Sequence, residues 1–440
     1  MNNRILPAYA ISILLGILVG IIGALFQIVI AHTNNSIINI IHFAERLHLS
    51  PQLVSAFISM VLVLFALFLV KRFAPEASGS GIQEIEGALV HERPIYWRRL
   101  IPVKFIGGVM AISSKLLVGR EGPTIQMGGN LGDMLGEVLH VPQDRRDTLV
   151  AAGSAAGLAT AFNAPLAGVL FVIEEMRNQF NFSFTNFKMV AICCIAATIT
   201  LRLILGSAPA IPMSVFATPS LSSLVLFFIL GIVIGLVGFL FNIVLMSSLS
   251  LIDQLSTSFH YIFTAIFGAV VGLLAYYYAP LVGGGYEIIE KSLHLFPSLY
   301  VLIGLIIWRF IGTMFSYATG VPGGVFAPLL ALGTIIGLAC FQILDHLMLA
   351  TSVHPGMFAV AGMGALFSAA VRAPITGIVL IVEMTQNYSL ILPLMVTCLT
   401  STTIVQLANN PPIYTQLLER TLKKQRKAAT NSGEIPPKLE

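Results

Sequence analysis

Charge is what this 440-residue chain has least of: Asp, Glu, Lys and Arg make up only 10% of it, where a soluble globular domain carries about 25%. With 56% hydrophobic residues and a mean hydropathy of +0.89, that shortage excludes a soluble globule and leaves an integral membrane protein. Cysteine is scarce too. Cys193, Cys194, Cys340 and Cys398 lie in apolar surroundings and form no C-x-x-C pair, so they read as small buried residues. The nine histidines are scattered, and no metal site is expected. Neither G-x-x-x-x-G-K-[ST] nor G-x-G-x-x-G stands in a strand–turn–helix context, which disfavours a phosphate cradle. An intramembrane enzyme would need a nucleophile, a metal cluster or an acid/base pair beside a headgroup site. None is visible, so the chain is expected to be no enzyme, to carry no cofactor and to bind no nucleic acid.

Uninterrupted apolar runs are abundant. Ala8–Ala31, Leu53–Val70 and Ser222–Ile252 contain no charge, and each is long enough for the roughly 20 helical residues that cross a ~30 Å apolar layer. Helices are therefore the spanning elements, since a β-barrel would show short alternating segments. Arg4 precedes the first run, but that run is too long for a secretory signal and has no obvious small-residue cleavage site; it reads as a retained span. Basic residues cluster at Lys71-Arg72, Arg93 with Arg98-Arg99, Arg145-Arg146, and Arg420, Lys423, Lys424, Arg426 and Lys427. With Arg4, the last cluster places both termini in the cytoplasm. Residues 1–420 read as one membrane domain, and the polar stretch 421–440 as a disordered tail.

The domain is internally repeated. Ala151–Met176 aligns without gaps on Val360–Thr385, matching Ala164-Pro165, Gly168 and Glu174 to Ala373-Pro374, Gly377 and Glu383. Two related halves follow, roughly 8–206 and 222–415. Glycine and proline also interrupt the apolar pattern between Gly79 and Gly87, Gly119 and Gly136, and Gly320 and Gly333. Such interruptions predict broken helices, which transporters built from repeats gather around a substrate near the bilayer midplane.

One interruption carries charge. In Gly119-Arg120-Glu121-Gly122-Pro123 an ionisable pair sits at membrane depth, where such groups are costly and usually functional. Pro123 opens an apolar segment, so Glu121 lies at a helix N-terminus whose N–H groups have no intrahelical partner. A glutamate there is either a structural cap or a tethered anion that competes with a mobile one. Ser80, between Gly79 and Gly81, offers a hydroxyl donor, and the glycines let backbone N–H groups approach a ligand. In the second half Gly320 to Gly324 leads to the amides of Val325 and Phe326. Tyr414 follows Pro411-Pro412. Close helix packing through small residues is the competing explanation for any one glycine-rich segment.

Together these segments resemble the CLC chloride channels and chloride/proton antiporters, above all the compact prokaryotic antiporters. The resemblance runs from about Ile11 to Arg420 and rests on GSGIQEIEG (Gly79–Gly87), GREGP (Gly119–Pro123), GLATAFNAPLAGVLFVIEEMR (Gly157–Arg177), GGVFAP (Gly323–Pro328) and the segment leading to Tyr414. It implies an all-α membrane fold of about seventeen helical segments in two inverted-topology halves, many of them broken and tilted. It also implies a homodimer in a prokaryotic inner membrane; the N-terminus is short, and the leading cytoplasmic helix of some relatives is expected to be absent. Chloride is the implied substrate, held by the hydroxyls of Ser80 and Tyr414 and the N–H groups of Val325 and Phe326, with Gly79, Gly81, Gly122 and Gly324 in support. Glu121 would be the external gating and proton-accepting glutamate, and Glu175 the internal proton-transfer glutamate.

Physical reasoning supports this division. Helix N-termini supply partial positive charge of about half a unit each, enough to hold chloride without the tight pairing a full cation would impose. A carboxylate competing for the same donors couples proton to anion. Adjacent helical residues point about 100° apart, so Glu174 and Glu175 face different ways. The repeat matches Glu174 to Glu383, which suggests a shared structural role for those two and leaves Glu175 as the specialised residue. Arg120 reads as an electrostatic neighbour of the entrance. The family's first motif usually reads GSGIP, and Gln83 in place of that proline adds a backbone donor and an amide, so helix start and anion selectivity differ modestly. Ser80, which the resemblance associates with chloride rather than nitrate or fluoride, is retained. The alternative is a passive voltage- or pH-gated chloride channel of the same family, against which Glu175 argues, because such channels commonly lack that carboxylate.

Overall fold

Long charge-free runs become the outer helices of the protein, and the glycine interruptions become its centre. The computed structural model describes residues 5–177, 183–213, 215–348 and 353–432. Among them are seventeen α-helices and no β-strand. The first half comprises α1 (Ile5–Arg46), α2 (Pro51–Phe73), α3 (Ile82–Leu89), α4 (Trp97–Ser113), α5 (Glu121–Val138), α6 (Gln143–Phe162), α7 (Pro165–Glu174) and α8 (Phe184–Leu205). The second comprises α9 (Leu224–Asp253), α10 (Thr257–Tyr277), α11 (Tyr286–Leu295), α12 (Leu299–Ala318), α13 (Phe326–His346), α14 (Pro355–Val371), α15 (Pro374–Thr385) and α16 (Ile391–Leu407), and α17 (Ile413–Ser432) follows. Among the described residues eight helices are long and apolar enough to span a membrane; the apolar window of α13 is 72% buried within the protein, against 28–44% for the others. Seven therefore leave much of their apolar surface uncovered by the rest of the protein, while α13 is central. The protein is a multi-pass integral membrane protein.

The halves pack alike. α5 lies on α6 as α13 lies on α14, and α1 on α8 as α9 on α16. Glycine makes the two central crossings possible: a Cβ at Gly128 would collide with the carbonyl of Gly153, and one at Gly333 with the carbonyl of Gly362. The repeat seen in the sequence is repeated in backbone detail, since Asn163 and Arg372 take left-handed conformations with φ of 56° and 64°. Each thereby stops a helix before Ala-Pro, and the proline starts the next at its first position, where its missing N–H costs nothing.

Glu174 and Glu383 do share a structural role, by capping rather than by pairing with each other. Glu383 accepts hydrogen bonds from the backbone N–H groups of Leu166 (3.2 Å) and Ala167 (2.8 Å) at the start of α7. Glu174 accepts from Ile375 (3.0 Å) and Thr376 (2.6 Å) at the start of α15. Each helix end satisfies the orphan donors of the other's beginning, so α7 and α15 run antiparallel across the junction of the halves. Glu383→Ala is expected to destabilise the protein by about 1 kcal/mol, the typical value of such a cap. A lowered thermal midpoint of the detergent-solubilised protein, with the coupling of the reconstituted protein intact, is the measurement; an unchanged midpoint would make the cap energetically idle.

Two expectations need correction. The interruptions are shorter than the glycine pattern suggested: Gly87, Gly136 and Gly333 lie inside α3, α5 and α13, where they admit Arg93, Arg146 and Gly362 at close range. Nor is the stretch from 421 to 432 irregular. It continues α17, whose Leu417 is buried and whose Arg420 and Lys424, one turn apart, both pair with Asp253 at the end of α9. Residues 433–440 lie outside the described residues.

Candidate functional site

Main-chain hydrogen bonds stitch three glycine segments together. Gly79 N–H donates to Val321 O at 3.1 Å and Gly323 N–H to Gly79 O at 3.0 Å. Gly119 and Gly324 exchange a pair of bonds, at 2.8 and 2.9 Å. The starts of α3, α5 and α13 are thereby brought to one place, each presenting N–H groups without intrahelical partners. Side chains would prevent this. Gly79 and Gly81 hold φ of +62° and +85°, and a Cβ on Gly122 would come within 2.6 Å of Ser80 Oγ.

Ser80, Val325, Phe326 and Tyr414 are all buried. Ser80 is held by its own backbone, whose N–H donates to Tyr317 Oη at 3.2 Å. Val325 precedes α13 and Phe326 begins it; the Phe326 ring packs on Phe162 at 5.1 Å and Phe367 at 4.2 Å between ring centres, fixing the helix start between α6 and α14. Tyr414, in the first turn of α17, lies within electrostatic reach of Tyr317, Glu121, Glu175 and Glu86. The hydroxyls of Ser80 and Tyr414 have no hydrogen-bond partner among the described residues.

Glu121 is the first residue of α5 and is 0% exposed. Its Oε1 accepts a hydrogen bond from Tyr286 Oη at 2.8 Å. Oε2 has no partner of good geometry and folds back against Gly119 near Ala327. Arg120 does not touch the carboxylate; its guanidinium stands over the Tyr286 ring, 5.0 Å from the centroid. Glu175 follows the last turn of α7, and its carboxyl faces that of Glu86 on α3. Two carboxyls so placed are suited to holding a proton between them.

Four residues here escaped sequence reasoning: Glu86, Lys104, Tyr286 and Tyr317. Lys104 is wholly buried and donates to the carbonyls of Ala77 (2.9 Å) and Gly79 (2.8 Å), stiffening the turn that carries Ser80. Its signal was a lone cation in the apolar run of α4. Glu86 stood within GSGIQEIEG, and Tyr286 directly after Gly283–Gly285. Tyr317, in an aromatic-rich span, had no signal. Gln83 lies in the first turn of α3 and lines a cavity of about 730 Å³ that also reaches Ser78, Gly79 and Tyr317 from the side of Arg93, Arg420 and Lys424. Among the described residues no group of His, Cys, Asp and Glu could hold a metal ion.

Residues 62–406 match the family model described as "Voltage gated chloride channel". The chain is 44% identical over 435 residues to an H(+)/Cl(-) exchange transporter ClcA of Vibrio cholerae serotype O1, covering 97% of this chain and 92% of that one. A ClcA of Vibrio parahaemolyticus serotype O3:K6 is 44% identical over 414 residues, with 93% and 89% covered. Among solved structures, a slow cyanobacterial Cl-/H+ antiporter superposes with a TM-score of 0.91 at 38% identity, covering 95% of this chain and 99% of that one. The broken-helix architecture, its three joined helix starts and these likenesses agree, and the chain belongs to the voltage gated chloride channel family.

Proposed function

We propose that the protein is a secondary transporter that exchanges chloride for protons, working as a homodimer in a prokaryotic inner membrane with both termini cytoplasmic. Chloride is held by the hydroxyls of Ser80 and Tyr414 and the N–H groups of Val325 and Phe326. Glu121 is the external gate and proton acceptor. Glu175, beside Glu86, passes protons from the cytoplasmic side.

The observation that carries the reading is the pair of orphaned hydroxyls, Ser80 Oγ and Tyr414 Oη. A buried donor without a partner costs about 1–3 kcal/mol, so its retention beside joined helix N-termini supports a ligand that accepts hydrogen bonds. Lys104 spends its donors on the carbonyls of Ala77 and Gly79, so its charge acts from behind the turn. That leaves an anion held by dipoles and hydroxyls, weakly enough to leave again. Glu121, folded in among the same helix starts, competes with chloride for them, and protonation removes its competing charge.

The test is direct. An outward or inward chloride gradient imposed on proteoliposomes should drive protons uphill, read by a pH-sensitive dye. Proton movement no larger than leak, with chloride flux present, would make the protein a passive channel.

A further inference from the structure

The Glu121 carboxylate is engaged by a residue from the other half of the protein. Tyr286 opens α11, and its phenol donates to Glu121 Oε1 at 2.8 Å. The turn ahead of it is clamped from several sides. Gly283 N–H donates to Lys115 O at 2.8 Å, and Trp308 Nε1 to Leu281 O at 2.9 Å. Arg309, almost wholly buried, reaches the carbonyls of Pro280 (2.9 Å), Val282 (3.2 Å) and Gly283 (2.9 Å). Gly285 holds φ of +112°, and a Cβ there would collide with Ala331 of α13. The phenol is thus fixed relative to the segment before α5 on one side and to α13 on the other, the two elements between which Glu121 folds. Arg120 over the ring draws on its π electrons, which makes the phenol a better donor.

We propose that Tyr286 is a positioning residue that latches the Glu121 carboxylate in its inward position. The inference rests on the gating role of Glu121. A phenol bonds an ionised carboxylate more strongly than a neutral acid, so the latch holds while Glu121 is charged and loosens when a proton arrives. Every departure of the carboxylate breaks the bond, and the latch therefore limits turnover.

The test is a double-mutant cycle in proteoliposomes with Tyr286→Phe, Glu121→Ala and the double variant. Phenylalanine keeps the ring, its packing and its face toward Arg120, and deletes the donor to Glu121; any loss of contact between Arg120 and the phenol oxygen is common to both backgrounds of the cycle. Tyr286→Phe should raise chloride turnover about tenfold, the lower end of what a hydrogen bond to a charged group contributes. It should also lower the half-saturating chloride concentration, because the freed carboxylate competes less well, and leave protons coupled. On the Glu121→Ala background, which has no acceptor, the same substitution should change nothing. Turnover that is unchanged or slower in Tyr286→Phe overturns the latch, as does an equal change on both backgrounds, which would mark a purely structural residue. If Glu121→Ala uncouples protons while Tyr286→Phe is inert, the latch alone falls. If Glu121→Ala still couples, the gate falls with it.

Discussion

Glu121→Gln is expected to leave chloride moving while proton transport falls to the leak rate, and to make the chloride flux insensitive to pH. The substitution is nearly isosteric, and the amide keeps an oxygen to accept from Tyr286 Oη, so the fold around α5 has little reason to change. What it removes is the charge. In the wild type the carboxylate lies 0% exposed among the starts of α5 and α13, where under the proposed function its negative charge makes it a rival to chloride for the same N–H groups. A neutral amide resembles the protonated acid at every pH, so titration no longer alternates the two states. The group proposed to receive a proton in exchange for a departing chloride would be lost with it. Chloride efflux and proton uptake measured on the same liposomes decide the matter. Flux that stays as pH-sensitive and proton-coupled as in the wild type would remove Glu121 from the gate.

Much of this was legible in the chain before any coordinates. Gly119-Arg120-Glu121-Gly122-Pro123 announced itself because charge at membrane depth is expensive and glycine on both sides has a geometric purpose. The Ala151–Met176 repeat foretold two halves, and the matching of Glu174 to Glu383 separated a structural pair from Glu175. Sequence could not show that the pair acts reciprocally, because the N–H groups each glutamate caps lie more than 200 residues away. Tyr286 was hidden for the same reason: its partner is 165 residues distant, and a tyrosine after three glycines carries no mark of what its hydroxyl will meet. Lys104 and Arg309 escaped that reading although each is a cation in an apolar run, because their role, holding turn carbonyls of equivalent segments in the two halves, needs the fold. The stretch after Arg420 misled because its composition is polar; two cations one helical turn apart found one aspartate at the end of α9, and the helix persists.

Glu175→Gln should sever protons from chloride at the opposite end of the pathway, with chloride flux retained. The proposed function divides the work between the two glutamates by position. Tyr414 lies within electrostatic reach of both, so under the proposed function the chloride route and the proton route would converge near its hydroxyl. The facing carboxyls of Glu175 and Glu86 are both buried; in the proposed division Glu175, just past the last turn of α7, collects the proton. Glu86, whose carboxyl faces that of Glu175, would serve as the neighbour that shares the proton. Removing a positioned proton-transfer group commonly costs about a hundredfold or more in rate, which would place proton movement in Glu175→Gln at or below leak. Glu86→Gln should slow coupled transport less, because the amide still offers Glu175 a hydrogen bond. The ordering is the test: uphill proton transport surviving in Glu175→Gln, or lost only in Glu86→Gln, would exchange the roles assigned to the pair. Chloride flux lost together with proton flux in Glu175→Gln would show that the substitution disturbs the shared centre around Tyr414 rather than a separate proton branch.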